Sequence, residues 1–286
     1  MSKDEEETHV SRREFTAISV AAGIVGPTGT AFAAGAVSTR AVKIKTPDGI
    51  CDAVLVHPEG KAQSAGVIWY PDALGLRPAM VEMAKRLAAH HYAVLVINPF
   101  YRLRKTPVFP PAFSLSNPDD RAEVMKMIAG LDHQKVSKDA DAFVSFLDAQ
   151  PEVNRTRPLG AVGFCMGGAM TIRAAVIAPD RVGAAVSFHG GKLVTEDATS
   201  PHRLVARTKA AYHIGIAADD DEKEPQAKVA LRKAFDASKR PASIKVYPGT
   251  KHGWTVTDSA VYDKDQAEQA WAAMLELYKQ KLGGTA

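Results

Sequence analysis

Cys165 sits between glycines in the stretch Gly163-Phe164-Cys165-Met166-Gly167-Gly168. An apolar run, 159–162, precedes it and a small-residue run, 169–175, follows, so the pattern predicts a strand, a sharp turn and a helix. A chain presents a nucleophile in this way: the backbone is strained at the turn, and glycines stand where a neighbouring Cβ would clash. The first turn of the following helix offers unpaired N–H groups and partial positive charge, which favour a thiolate over a thiol. A buried structural cysteine in a Gly-rich turn would share this local sequence, so the rest of the constellation must decide between the two.

A cysteine nucleophile needs a base, and the base needs a group to orient it. Where the nucleophile stands at such a turn, the chain order is nucleophile, acid, histidine. His252 fits the last place, in the Gly-bracketed turn Tyr247-Pro248-Gly249-Thr250-Lys251-His252-Gly253-Trp254 after the final apolar run. The acid is expected where run 211–217 passes into Ala218-Asp219-Asp220-Asp221-Glu222. Any of the three aspartates could fix the imidazole tautomer and stabilise its charged form. The remainder of the cluster reads as a solvated acidic loop capping the next helix. Its spacing lacks the alternating ligands of a calcium loop, and no metal or organic cofactor is predicted. His189-Gly190-Gly191 falls after the nucleophile, on the wrong side in chain order for an oxyanion motif, and is read as a strand end at the site mouth.

To position these groups, the chain alternates β-rich and helical patterns. Apolar runs at 41–45, 51–56, 66–70, 93–98, 160–164, 183–188, 211–217 and 242–247 predict eight strands. Helical periodicity marks 78–89, 135–147, 222–238 and 265–282. The expectation is an α/β domain with a mainly parallel central sheet, helices on both faces, and an antiparallel edge hairpin turning at Asp48-Gly49. Segment 102–131 breaks the rhythm with Pro107, Pro110, Pro111 and Pro118 before a short helix at 121–128, and reads either as a mouth over the site or as a surface excursion. Trp69 and Trp271 are expected in the core, and Trp254 could wall the pocket.

The elbow around Cys165, the acidic run after the next-to-last strand and the His-Gly-aromatic turn together resemble the dienelactone hydrolase family over nearly all of residues 34–286. The resemblance implies the α/β-hydrolase fold, and hydrolysis of an ester or lactone through a Cys165–Asp220–His252 triad, with Asp221 the second choice of acid. It implies oxyanion N–H groups from Ala73 and Met166, in the usual arrangement of two backbone donors. In Trp69-Tyr70-Pro71-Asp72-Ala73-Leu74-Gly75, Asp72 stands where the family usually has a glutamate touching the resting cysteine. In Asn98-Pro99-Phe100-Tyr101-Arg102, the arginine matches one that grips a substrate carboxylate. A second arginine, four residues beyond the histidine in members acting on dienelactone itself, is replaced here by Val256. That departure leaves room for a carboxylesterase acting on an unrelated ester; a catalytically weak binding relative is the third reading.

Residues 1–33 carry Arg12 and Arg13 before a weakly apolar, Gly-interrupted run ending Thr30-Ala31-Phe32-Ala33-Ala34. This is the pattern of a twin-arginine export signal cleaved near Ala33, which predicts passage through that export machinery to the periplasm. The formal net charge is +4, and because residues 1–33 hold three basic and five acidic side chains, residues 34–286 carry +6. The excess is dispersed, without a basic block or interleaved aromatics, which excludes a nucleic-acid partner and is compatible with an anionic small molecule. Both cysteines are expected to be free, Cys51 for packing and Cys165 reactive, in a monomer of one domain, 34–286.

Overall fold

Three continuous apolar runs, β3 (Ala65–Tyr70), β4 (Tyr92–Ile97) and β5 (Leu159–Phe164), are buried at every position, as strands covered on both faces must be. The computed structural model describes residues 36–283 apart from Lys61, Pro111 and Asp132. The export-signal reading of residues 1–33 lies outside the described residues. The remaining strands are β1 (Val37–Thr46), β2 (Gly49–Pro58), β6 (Val182–Phe188), β7 (Ala211–Ala217) and β8 (Ala242–Tyr247). They form one sheet in the order β1-β2-β4-β3-β5-β6-β7-β8. The pairs β1–β2 and β2–β4 are antiparallel and all others are parallel, so the expected edge hairpin is present, with Gly49 at φ 141° closing its turn.

Helices cover both faces. On one, α1 (Pro78–Ala88) buries the predicted stripe of Met80, Met83, Ala84 and Leu87, and α8 (Lys264–Leu282) adds Trp271, Met274, Tyr278 and Leu282. Trp69 and Trp271 both belong to this core. On the other face lie α3 (His133–Asp148), α4 (Met166–Ile177) and α7 (Pro225–Ser238), contributing Phe143, Leu147, Ile172, Leu231 and Phe235.

Two expectations change. The run Asp219-Asp220-Asp221 is no loop: it forms the first turn of a separate short helix, α6 (Ala218–Lys223). The predicted helix over 222–238 therefore begins only at Pro225. Proline lacks the N–H needed to continue α6, and it forces Glu224 out of helical geometry to φ −130°, ψ 62°. Segment 102–131 contains α2 (Pro118–Ala129), started by the Asn117 side chain accepting the Asp119 N–H. A small third cluster, Phe100, Val108 and Met127, packs with Phe109 and with Met166, the residue after the predicted nucleophile. The segment is thus joined to the site end of the sheet.

His213 on β7 is buried, its Nε2 3.1 Å from the Tyr247 hydroxyl, and burial lowers its pKa from 6.5 to about 4, with Lys245 adding to the shift. A depressed pKa leaves stability intact above 6.5 and withdraws it as pH falls through about 4. We expect the native state to lose on the order of 2–3 kcal/mol from this group on acidification. The fall in Tm between pH 7 and 4 should be smaller in His213→Phe, and equal falls in both proteins would exclude this origin.

Candidate active site

Strand β5 ends at Phe164 and α4 starts at Met166, so the turn between them is Cys165 alone. Its backbone stands at φ 52°, ψ −121°, a conformation that costs a non-glycine residue about 1–3 kcal/mol unless its surroundings impose it. Here they do. The Cys165 N–H donates to the Phe188 carbonyl at 3.1 Å, and the Cys165 carbonyl accepts from Gly168 N–H at 3.0 Å and Gly191 N–H at 3.1 Å.

The glycines around it have steric causes. A Cβ on Gly163 would fall 2.1 Å from the Gly167 carbonyl oxygen, and one on Gly167 would fall 2.4 Å from that of Tyr70. A Cβ on Gly168 would meet the Ser187 hydroxyl at 2.2 Å. The first two obstacles are backbone and cannot swing aside. Gly163→Ala is accordingly expected to cost at least about 2 kcal/mol in urea unfolding; a loss below about 0.5 kcal/mol would mean that the elbow relaxes freely.

Close packing of Gly167 on the end of β3 sets the elbow beside the loop that follows that strand. Among the described residues, neither the Ala73 nor the Met166 N–H has a hydrogen-bond acceptor. Met166 opens a helix, where the first N–H groups are unpaired by construction and carry partial positive charge. The Ala73 loop is held by Asp72, whose carboxylate accepts the Leu74 N–H at 2.9 Å and whose carbonyl accepts the Gly75 N–H at 2.9 Å.

His252 lies in the turn after β8. Its Nδ1 is 2.7 Å from Asp220 Oδ2. Asp219 accepts the His252 backbone N–H at 2.8 Å, and Asp221 is paired instead with Lys228. Burial pulls the imidazole pKa down, but the hydrogen bond to Asp220 and the electrostatic pull of Cys165 and Asp220 outweigh it, raising the pKa from 6.5 to about 10. The ring therefore holds a proton at neutral pH. A cleft of about 120 Å³ opens beside it, lined by apolar Leu193, Val194, Ile216 and Leu231 and by charged Lys192, Lys223, Glu224 and Lys228.

Three other predicted contacts are placed differently. Asp72 is not free to touch a thiol: Arg77 binds it through two nitrogens at 2.7 and 2.9 Å and also grips Asp258, beyond the His252 turn. Burial works against the Arg77 cation, but the two carboxylates hold its pKa above the ordinary arginine value. Arg102 spends its guanidinium on buried Asp139 at 2.7 and 2.8 Å and on Asp48 at 3.0 Å, and lies over the Tyr101 ring. Trp254 does not wall the pocket; it is fully buried, with ring centroids 5.3 Å from His189 and 5.2 Å from Tyr247. Val256 is also buried.

Cys51 is buried and unpaired by any disulfide, its pKa pushed up to about 12 chiefly by burial, whereas Cys165 is half-buried. No group of three His, Cys, Asp or Glu side chains among the described residues is placed to hold a metal ion. His189, read from sequence only as a strand end at the site mouth, lies directly beneath the elbow, its Nδ1 3.1 Å from the Cys165 backbone nitrogen.

Residues 51–282 match the model of the dienelactone hydrolase family. A protein of Escherichia coli (strain K12), described provisionally as a carboxymethylenebutenolidase, is 27% identical over 222 residues, covering 75% of this chain and 76% of that one. One of Methylorubrum extorquens with the same description is 25% identical over 284 residues, covering 96% and 94%. Among solved structures, a dienelactone-hydrolase-like promiscuous phosphotriesterase from metagenomic libraries superposes with a TM-score of 0.72 at 26% identity, covering 87% of this chain and all of that one. The sheet order and the covering helices are those of the α/β-hydrolase fold that these proteins share.

Proposed function

Because this chain belongs to the dienelactone hydrolase family, we propose that it hydrolyses a small-molecule ester or lactone through a Cys165–Asp220–His252 triad. One observation carries the reading: an imidazole whose Nδ1 lies 2.7 Å from a carboxylate is set against a cysteine held in a strained elbow. With Nδ1 turned to Asp220, Nε2 is the nitrogen left to face Cys165.

The sulfur attacks the substrate carbonyl carbon as the thiolate, and the displaced electron pair moves to the carbonyl oxygen. The Ala73 and Met166 N–H groups, which have no other acceptor among the described residues, receive that oxyanion. Collapse expels the alkoxide, which takes the proton from His252 Nε2 and leaves a thioester on Cys165. In a lactone the alkoxide stays tethered to the acyl group. Neutral His252 then removes a proton from water as its oxygen attacks the thioester, and the second collapse returns the acid product and the thiolate. Asp220 remains charged throughout and holds the ring in one tautomer. No metal or organic cofactor takes part in this scheme.

A substrate without a carboxylate is favoured over dienelactone itself. Arg102 is already neutralised by Asp139 and Asp48, and Val256 offers no charge. The small volume of the cleft and the apolar side chains in its lining suit a short acyl group. The test is a comparison of kcat/KM for short-chain aryl esters, neutral lactones and a dienelactone. We expect the neutral short-chain substrates to lead by at least tenfold; a dienelactone ahead of them would return the assignment to the family's best-known substrate. The paired arginines and the Ala-x-Ala end of residues 1–33 support export by the twin-arginine route to the periplasm, and we propose a monomer there.

A further inference from the structure

His189 ends β6 as a fully enclosed imidazole, 1% exposed, in a backbone conformation (φ 40°) that only a determined environment holds. Its own N–H donates to the Gly215 carbonyl at 2.8 Å, which anchors it to β7. Nδ1 lies 3.1 Å from the Cys165 nitrogen, a group that can only donate. Nδ1 must therefore be the acceptor, the proton sits on Nε2, and that N–H donates to the Thr255 hydroxyl 2.9 Å away. Thr255 is three residues past His252, on the same turn. One ring thus joins the backbone of the nucleophile to the loop that carries the base.

We propose that His189 is a positioning residue for the reaction: a neutral imidazole that fixes the Cys165 elbow and ties it to the His252 turn through Thr255. The inference rests on the triad reading above and goes beyond it, since His189 touches neither substrate nor the sulfur. Its surroundings keep it neutral. Burial drives its pKa well below the usual histidine value, and the charge of His252, whose ring centroid is 5.0 Å away, drives it further. Protonation would turn Nδ1 into a donor facing the Cys165 N–H, so the tie exists only in the neutral tautomer. A displacement of about 1 Å between nucleophile and base can cost on the order of 100-fold in rate, which sets the scale of the effect.

Three variants test the tie with two readouts: hydrolysis of p-nitrophenyl acetate, and the rate of Cys165 alkylation by iodoacetamide across pH, followed by mass spectrometry. His189→Phe keeps a ring and loses both hydrogen bonds; we expect kcat to fall about 10- to 100-fold, KM to stay within about twofold, and the alkylation profile to shift to higher pH as the Cys165–His252 pair loosens. His189→Asn retains an acceptor for the Cys165 N–H and should recover most of that loss. Thr255→Val frees only the far end and should give a severalfold fall in kcat with a smaller shift of the same sign. Wild-type kcat and an unmoved profile in folded His189→Phe would overturn the proposal, as would His189→Asn behaving no better than His189→Phe. If His189→Phe does not fold, Thr255→Val decides, and no change in either readout overturns it. Alkylation needs no turnover, so a wild type that hydrolyses no ester would sink the proposed activity while leaving this tie measurable.

Discussion

Replacing Cys165 with alanine is expected to lower kcat/KM for p-nitrophenyl acetate by at least about 10³-fold while leaving Tm within a few degrees of the wild type. The size follows from the absence of a substitute nucleophile at the elbow. Cys51, the other thiol, is fully buried, and its pKa of about 12 keeps it protonated. What survives in the variant is catalysis by the oxyanion N–H pair and by His252 acting on water. The same substitution removes the electrostatic pull of Cys165 on His252, so its pKa should fall from about 10 toward the ordinary value, read as the pH midpoint of its ring resonances. A variant with wild-type turnover would assign Cys165 to packing.

Asp220→Asn should be the second most damaging change, with kcat reduced about 10²- to 10⁴-fold, because an amide can neither hold the productive tautomer nor stabilise the imidazolium. The matching change at Asp221, whose carboxylate is spent on Lys228, should leave kcat within about threefold. The stability consequence has a definite sign. A raised histidine pKa adds stability that is complete below 6.5 and fades as pH rises through about 10. Removing the Asp220 carboxylate should therefore lower Tm most at neutral and mildly acidic pH, and the wild-type and Asp220→Asn curves should converge above about pH 10. Parallel curves across that range would show that Asp220 does not support the charged ring. Equal damage from Asp220→Asn and Asp221→Asn would move the acid's role off either single residue.

The elbow and the histidine turn are legible in sequence because their demands are local. A strained single-residue turn needs glycine wherever backbone approaches within a Cβ's reach, and a Cβ on Gly163 or Gly167 would fall 2.1 or 2.4 Å from a backbone oxygen. The central strands are legible for a related reason: β3, β4 and β5, buried on both faces, leave unbroken apolar runs. The choice among Asp219, Asp220 and Asp221 is not local. Once these residues form a helical turn, successive side chains point about 100° apart. One reaches back to the His252 N–H, one to its ring and one away to Lys228.

Asp72 and Arg102 show the reverse difficulty. Each stands where the family resemblance implies a residue facing the site, yet each is claimed by an ion pair that a distant residue completes: Arg77 takes Asp72 while also gripping Asp258, and Asp139 takes Arg102. Trp254 is drawn into the core by His189 and Tyr247, contacts that exist only after β6 and β8 take their places in the sheet. His189 passed as a strand end for the same reason, since its partners Cys165 and Thr255 are 24 and 66 residues away.

In the proposed reaction the acyl group passes through Cys165. The most direct measurement mixes the protein with excess p-nitrophenyl acetate, quenches in acid within the first turnovers, and locates the added mass by peptide mapping. We expect a protein heavier by one acetyl group, with that group on the peptide containing Cys165 and lost again on a second incubation before quenching. Continued release of p-nitrophenol with Cys165 unmodified at every time, or with the acetyl group on another side chain, would contradict it.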